Sequence, residues 1–220
     1  ATAEATVLVR DLCNHPANVM TPTRIVREAK AVAKESGVRL KVLEQKDMEQ
    51  LGMGALLGVA RGSHEPPKFI ILEYKGAKAK KGDPPVVLVG KTITFDTGGI
   101  SLKPAENMEH MKADMTGGAE VLATMRAAAR LKLPLHLVSI LPVAENMPGG
   151  RAMRLKSRER ARAILLRLSD AEEVRRRLPA VEIRRVTRTI RECERTPGRL
   201  CDIPELIRKG RFDEIFFVDL

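Results

Sequence analysis

Lys91, Asp96, Lys103 and Asp114 fall within one short stretch, Val89 to Asp114, which also carries Gly98 and Gly99. The two carboxylates are hard oxygen ligands for a divalent cation. A lysine can join them only when neutral, a state that desolvation and a neighbouring dication both favour. Lys91 follows the apolar run Val86 to Val89, where such burial is expected. Oxygen and amine donors without cysteine suit zinc or manganese, among others. The glycines would let the backbone approach the metals closely, and Lys103 would remain as a charge able to stabilise a developing oxyanion. The alternative at this point is a surface loop with ordinary charges. Gly90-Lys91-Thr92 does not end a phosphate-binding loop, because Pro85 stands where that loop needs glycine and offers no N–H to a phosphate. His15, His64, His110 and His136 are distant from one another in sequence and read as structural or solvated.

The elements that must hold these residues alternate strand and helix. Thr21 is placed to cap a helix that starts at Pro22, buries Ile25, Val26, Ala29, Val32 and Ala33, and stops at Gly37. Val38 to Leu43 alternates apolar and polar residues as a strand does. Asp47 to Leu51 reads as a short helix, ended by the glycines that follow. Gly52-Met53-Gly54 is not a dinucleotide fingerprint, since no strand leads into it and the third glycine falls one residue late, at Gly58. Lys68 to Tyr74, Val86 to Val89 and Leu135 to Val143 read as strands, and Gly117 to Leu131 as a helix. This order predicts βαβ units around a mostly parallel or mixed sheet flanked by helices, an α/β fold. Past Arg154 the chain becomes rich in arginine and reads as a helical tail, with Ser169 and Glu172 at capping-box spacing and a short strand at Ile215-Phe216-Phe217-Val218. The shift divides the sequence into residues 1–154 and 155–220.

Composition narrows the class of protein. The 220 residues are 44% apolar but contain no Trp and one Tyr, so the core must be aliphatic. Cys13, Cys193 and Cys201 form neither a disulfide framework nor a metal-ligand spacing, which predicts a reducing, cytoplasmic setting. No basic leader precedes an apolar run, and no apolar stretch reaches the roughly 18 residues of a membrane span, so neither export nor a membrane partner is expected. The net charge is +11, and residues 151–220 contribute most of the excess, with 19 basic and 12 acidic side chains. No aromatic platform interleaves with those arginines as it does in single-strand binders. Nucleic acid is therefore not expected as a partner.

Val89 to Asp114, with Asn107-Met108 inside it, resembles the central metal-binding signature of the leucyl (cytosol) aminopeptidase family. The resemblance runs from about residue 8 to 154. It includes Arg10-Asp11-Leu12-Cys13-Asn14 with Pro16 and Asn18, Leu51-Gly52-Met53-Gly54, Pro66-Pro67-Lys68 and Glu145-Asn146-Met147-Pro148. In that family these segments belong to the α/β catalytic domain of hexameric enzymes that release N-terminal amino acids from peptides with two divalent metals. The resemblance implies that Asp96 is the carboxylate shared by both metals, Zn or Mn, and that Lys91 and Asp114 are ligands of one. It gives Lys103 the role of polarising the scissile carbonyl and holding the tetrahedral intermediate. Met111 would line the pocket for the N-terminal side chain; from the residues alone it would be core filling. Two metals about 3.5–4 Å apart would activate a shared water, with no serine or cysteine nucleophile.

Three departures stand out. Thr92 occupies a position where the family commonly has glycine, which predicts a crowded backbone beside Lys91. The Asn-Thr-Asp-Ala-Glu-Gly-Arg segment expected beyond Met147 does not occur; in the family it supplies two further carboxylate ligands and the arginine that positions a bicarbonate base. The family's usual N-terminal domain is not in the sequence either. Pro204 to Leu220 instead resembles the arginine-finger segment of AAA+ ATPases, with Arg208 and Arg211 in the finger positions. The sequence thus predicts an impaired two-metal aminopeptidase, the alternative being a non-catalytic interaction module or an AAA+-related assembly fragment.

Overall fold

The computed structural model describes residues 1–77 and 85–153, together with the backbone of a strand at Ile215–Val218. Helices α1 (Thr2–Asn14), α2 (Pro22–Ser36), α3 (Gln45–Gln50), α4 (Gly54–Ala60) and α5 (Thr116–Arg130) accompany strands β1 (Arg39–Leu43), β2 (Lys68–Lys75), β3 (Val86–Gly90), β4 (Thr92–Asp96), β5 (His136–Asn146) and β6 (Ile215–Val218). A 3₁₀ turn covers Met108–Ala113.

Helix α2 forms as its sequence dictates. The Thr21 side chain accepts the Arg24 N–H, Pro22 fills the first turn, and Gly37 ends the helix in the left-handed conformation at φ 70°. Its buried stripe of Ile25, Val26, Ala29 and Val32 joins Val121, Leu122 and Met125 of α5 and Ile70, Leu72, Leu137 and Leu141 of the sheet in one aliphatic core. Leu8, Val9 and Leu12 of α1 pack on the same core. Burial of such side chains, at about 1.5–3 kcal/mol each, is the main term holding these layers together.

The sheet order is β1-β2-β5-β3-β6, with β4 also paired to β5. β1 and β2, and β2 and β5, run antiparallel, while β3, β4 and β6 join by parallel pairings. The sheet is mixed, and among the described residues the parallel βαβ arrangement expected from alternation holds where α5 carries the chain from β4 back to β5. Between β1 and β2 stand the short helices α3 and α4, and the chain returns antiparallel. β3 pairs with Leu137–Ile140 and β4 with Val143–Asn146. The two are one extended segment interrupted at Lys91. Ser169 and Glu172 lie outside the described residues.

Candidate metal centre

The break at Lys91 is held by close contact between the sheet and the start of α5. The Gly118 N–H donates to the Lys91 carbonyl at 2.7 Å. A Cβ on Gly90 would lie 2.5 Å from the Gly117 carbonyl oxygen, and a Cβ on Gly118 would lie 2.0 Å from Thr92 Oγ1. Thr92 is fully buried, and its hydroxyl donates to the Gly90 carbonyl. The crowding expected beside Lys91 is therefore met by glycines across the interface, which make room for the threonine.

Asp96 ends β4, and a left-handed turn at Gly98 and Gly99, φ 87° and 63°, brings Lys103 back to it. The turn is closed by the Lys103 N–H donating to the Thr97 carbonyl at 2.9 Å. These glycines serve the turn: a Cβ at Gly98 would meet the Ser101 carbonyl oxygen at 2.3 Å, and one at Gly99 would meet Asn146 Oδ1 at 2.5 Å. Asp114 is fixed against β4 because its carbonyl accepts the Ile93 N–H at 3.1 Å.

The side chains meet in two ion pairs. Lys91 Nζ lies 2.7 Å from Asp114 Oδ1, and Lys103 Nζ lies 2.7 Å from Asp96 Oδ2. Lys103 Nζ is also 3.0 Å from Met111 Sδ, so the five residues singled out between 91 and 114 form two clusters, Lys91 with Asp114 and Asp96 with Lys103 and Met111, and the charges of Asp96 and Lys103 are felt at Asp114. Lys91 departs from the expected burial: 41% of its side chain is exposed, because the strand break turns it away from the core. Burial pushes the Asp96 carboxyl up, but hydrogen bonds from Lys103, the Gly98 N–H and Asn146, with the charge on Lys103, outweigh it and leave the group below its usual range. Burial also raises Asp114, and there the Lys91 hydrogen bond offsets it only in part, so that carboxyl stays above its usual range.

A sequence model of the catalytic domain of the cytosol aminopeptidase family matches residues 7–158. The chain belongs to this family. A probable cytosol aminopeptidase of Azoarcus sp. (strain BH72) is 57% identical over 154 residues, 70% of this chain and 30% of that protein. Among solved structures, the bottromycin maturation enzyme BotP in complex with Mn is 44% identical at a TM-score of 0.64, the match covering 70% of this chain and 33% of that one. The apo leucyl aminopeptidase of Trypanosoma cruzi is 34% identical at a TM-score of 0.67, covering 71% and 30%. The chain thus spans 30% of the length of the first curated relative it matches.

The donor set fits a divalent cation of the kind this cytosol aminopeptidase domain implies. Among the described residues nothing donates a hydrogen bond to the buried Asp114 Oδ2, and an orphaned carboxylate oxygen within electrostatic reach of the Asp96 carboxylate suits a hard cation. Lys91, Asp96 and Asp114 are the residues that would hold it. Among the described residues no group of three or more His, Cys, Asp and Glu side chains is placed to bind a metal. His136 Nε2 instead lies 2.9 Å from Glu73 Oε1, and His110 is exposed beside Glu109. Sequence reasoning did not give Asn146 a role, although its amide reaches Asp96 Oδ1 at 2.6 Å; its place in Glu145-Asn146-Met147-Pro148 was the available signal. No helix among the described residues is long and apolar enough to cross a membrane. Arg208 and Arg211 lie outside the described residues.

Proposed function

We propose that residues 1–154 form part of the catalytic domain of a two-metal aminopeptidase that removes N-terminal residues from peptides in the cytoplasm, as a homo-oligomer, a hexamer in the family. The carrying observation is the two ion pairs at either end of β4, Lys91 with Asp114 and Lys103 with Asp96, within the span matched to the family. In this reading Asp96 would be the ligand common to two Zn or Mn ions, and Lys91 and Asp114 would hold one of them. When bound, such ions would supply a Lewis acid and lower the pKa of a coordinated water. Lys103, oriented by Asp96 and placed beside Met111, holds positive charge where the carbonyl oxygen becomes negative. Met111 faces the substrate's N-terminal side chain. A bicarbonate base belongs to the intact family, and this sequence lacks the Asp-x-Glu-x-Arg loop that positions it and completes the ligand set. Turnover by this chain is accordingly impaired.

Dialysis against Mn²⁺ followed by elemental analysis, with hydrolysis of a chromogenic leucyl substrate, tests the reading. Retained metal with slow turnover is expected, and Lys103→Ala should lower that turnover by about 10²–10³-fold while leaving the metal content unchanged. A folded chain with neither metal nor turnover would reduce the relationship to ancestry and favour a non-catalytic interaction module. In this proposal Arg208 and Arg211, in the Arg-rich stretch that precedes β6, act as fingers toward a nucleotide-loaded AAA+ partner. Equal binding to such a partner by Arg208→Ala and Arg211→Ala removes that role.

A further inference from the structure

β4 carries one residue more than the strand beside it. Ile93 is in register with Ala144, but Asp96 is in register with Asn146, so Thr94 and Phe95 stand opposite Glu145 alone. Such bulges re-aim side chains, and here the extra residue sets the carboxylate of Asp96 directly across from an amide. Asn146 Nδ2 donates to Asp96 Oδ1 at 2.6 Å, and the Gly98 N–H donates to the same oxygen at 2.9 Å. Both fixed donors therefore occupy Oδ1. Among the described residues the other oxygen, Oδ2, meets only the flexible ammonium of Lys103. Asn146 is itself clamped, since its carbonyl accepts both the Thr97 N–H at 3.0 Å and the Thr97 hydroxyl at 2.7 Å. The terminal torsion of an aspartate is broad and roughly two-fold, so without the amide the two oxygens could exchange places.

We propose that Asn146 is a positioning residue: with the β4 bulge, it fixes which oxygen of Asp96 is presented to a divalent cation. The inference rests on the metal-binding reading above and adds to it a residue that binds no metal. Hydrogen-bonded partners of a ligating carboxylate typically account for about 10–100-fold in metal affinity, and the donors here are a backbone N–H and a side chain whose own backbone is held by Thr97.

The test is titration of the full chain with Mn²⁺ alone, following free and bound ion by electron paramagnetic resonance, with folding checked by circular dichroism. Asn146→Ala removes the donor, and Asn146→Leu removes it while keeping a branched side chain in place. Both should weaken Mn²⁺ binding by about 10–100-fold and change the shape of the bound-ion spectrum. Ser63→Ala removes a 2.6 Å hydrogen bond to the adjacent Glu145 and serves as the control for loosening the end of β5; its Mn²⁺ affinity should equal that of the unaltered chain. Wild-type affinity in both Asn146 variants would overturn the proposal and leave the metal site standing. Equal weakening by Ser63→Ala, or failure of both Asn146 variants to fold, would assign the asparagine to the structure of the strand end and overturn it as well. An unaltered chain that takes up no Mn²⁺ would overturn both the metal reading and this inference.

Discussion

Gly118→Ala should damage the protein through a single contact, and Thr92→Gly should repair it. The added methyl would lie 2.0 Å from Thr92 Oγ1 and 2.8 Å from its Cβ and Cγ2, where real Cβ atoms essentially never come nearer than 3.0 Å. Thr92 is fully buried on a strand, so it cannot swing into solvent, and α5 must back away by about 1 Å. Overpacking of this kind costs about 1–3 kcal/mol, against which alanine recovers up to about 1 kcal/mol of helix propensity. A net loss of about 1–2 kcal/mol corresponds to a melting midpoint lower by about 2–8 °C in a unit of this size. Because the Gly118 N–H holds the Lys91 carbonyl at 2.7 Å, the same shift should move Lys91 relative to Asp114 and weaken Mn²⁺ uptake. Thr92→Gly alone empties a buried site and places glycine in a strand, but the double variant should be no less stable than Thr92→Gly. Urea unfolding of the four proteins gives the coupling directly. Effects that add to within about 0.5 kcal/mol, the behaviour of independent sites, would refute the argument that this one contact sets the distance between β4 and α5.

Asp114→Asn removes the charge on the buried, unpartnered oxygen and should lower Mn²⁺ affinity by more than the roughly tenfold expected of a supporting residue; calorimetric titration would show it. Gly99→Ala forces alanine into a backbone with φ 63°, which costs about 1–2 kcal/mol by itself, and presses on Asn146 Oδ1, so both thermal stability and metal uptake should fall. Glu145 is raised above its ordinary value by burial, with the Ser63 hydrogen bond opposing and Glu65 adding to the rise. The fold therefore favours its protonated form, so stability should increase as pH falls through the folded value toward the ordinary 4.5. Relative to Glu145→Gln, the unaltered chain should be less stable at neutral pH, and the gap should close near that lower limit. A gap that is flat with pH in chemical denaturation would remove Glu145 as its source.

Elements with their own punctuation were legible in the sequence. α2 has a threonine cap, a first-turn proline and a terminal glycine, and it folds between them; β2 and β5 announce themselves by apolar runs. α1 was not foreseen because it has no side-chain cap and owes its place to packing on the shared core. α4 begins and nearly ends in glycine, so local propensity argues against it, and its packing against β5 and α3 accounts for it. β4 was missed because Lys91 interrupts the apolar pattern, and hydrogen bonding to β5 carries the strand onward. The antiparallel pairing of β2 depends on long-range register that no local pattern records. The same division applies to the candidate site: the charged residues could be named from type and spacing, but their pairing, and the amide behind Asp96, required the bulge and the turn.

The continuity of β3 and β4 along β5 has a consequence for how this family of domains can change. The interval from Lys91 to Asp96 is counted out by hydrogen bonds to a neighbouring strand, with the one bulge already in it. One further inserted residue would turn every later side chain to the opposite face and carry Asp96 away from Asn146 on β5, so this interval should admit substitutions and reject insertions and deletions. Length polymorphism must be sought elsewhere, as in the connection between β2 and β3, which sets no spacing between charged groups of the site.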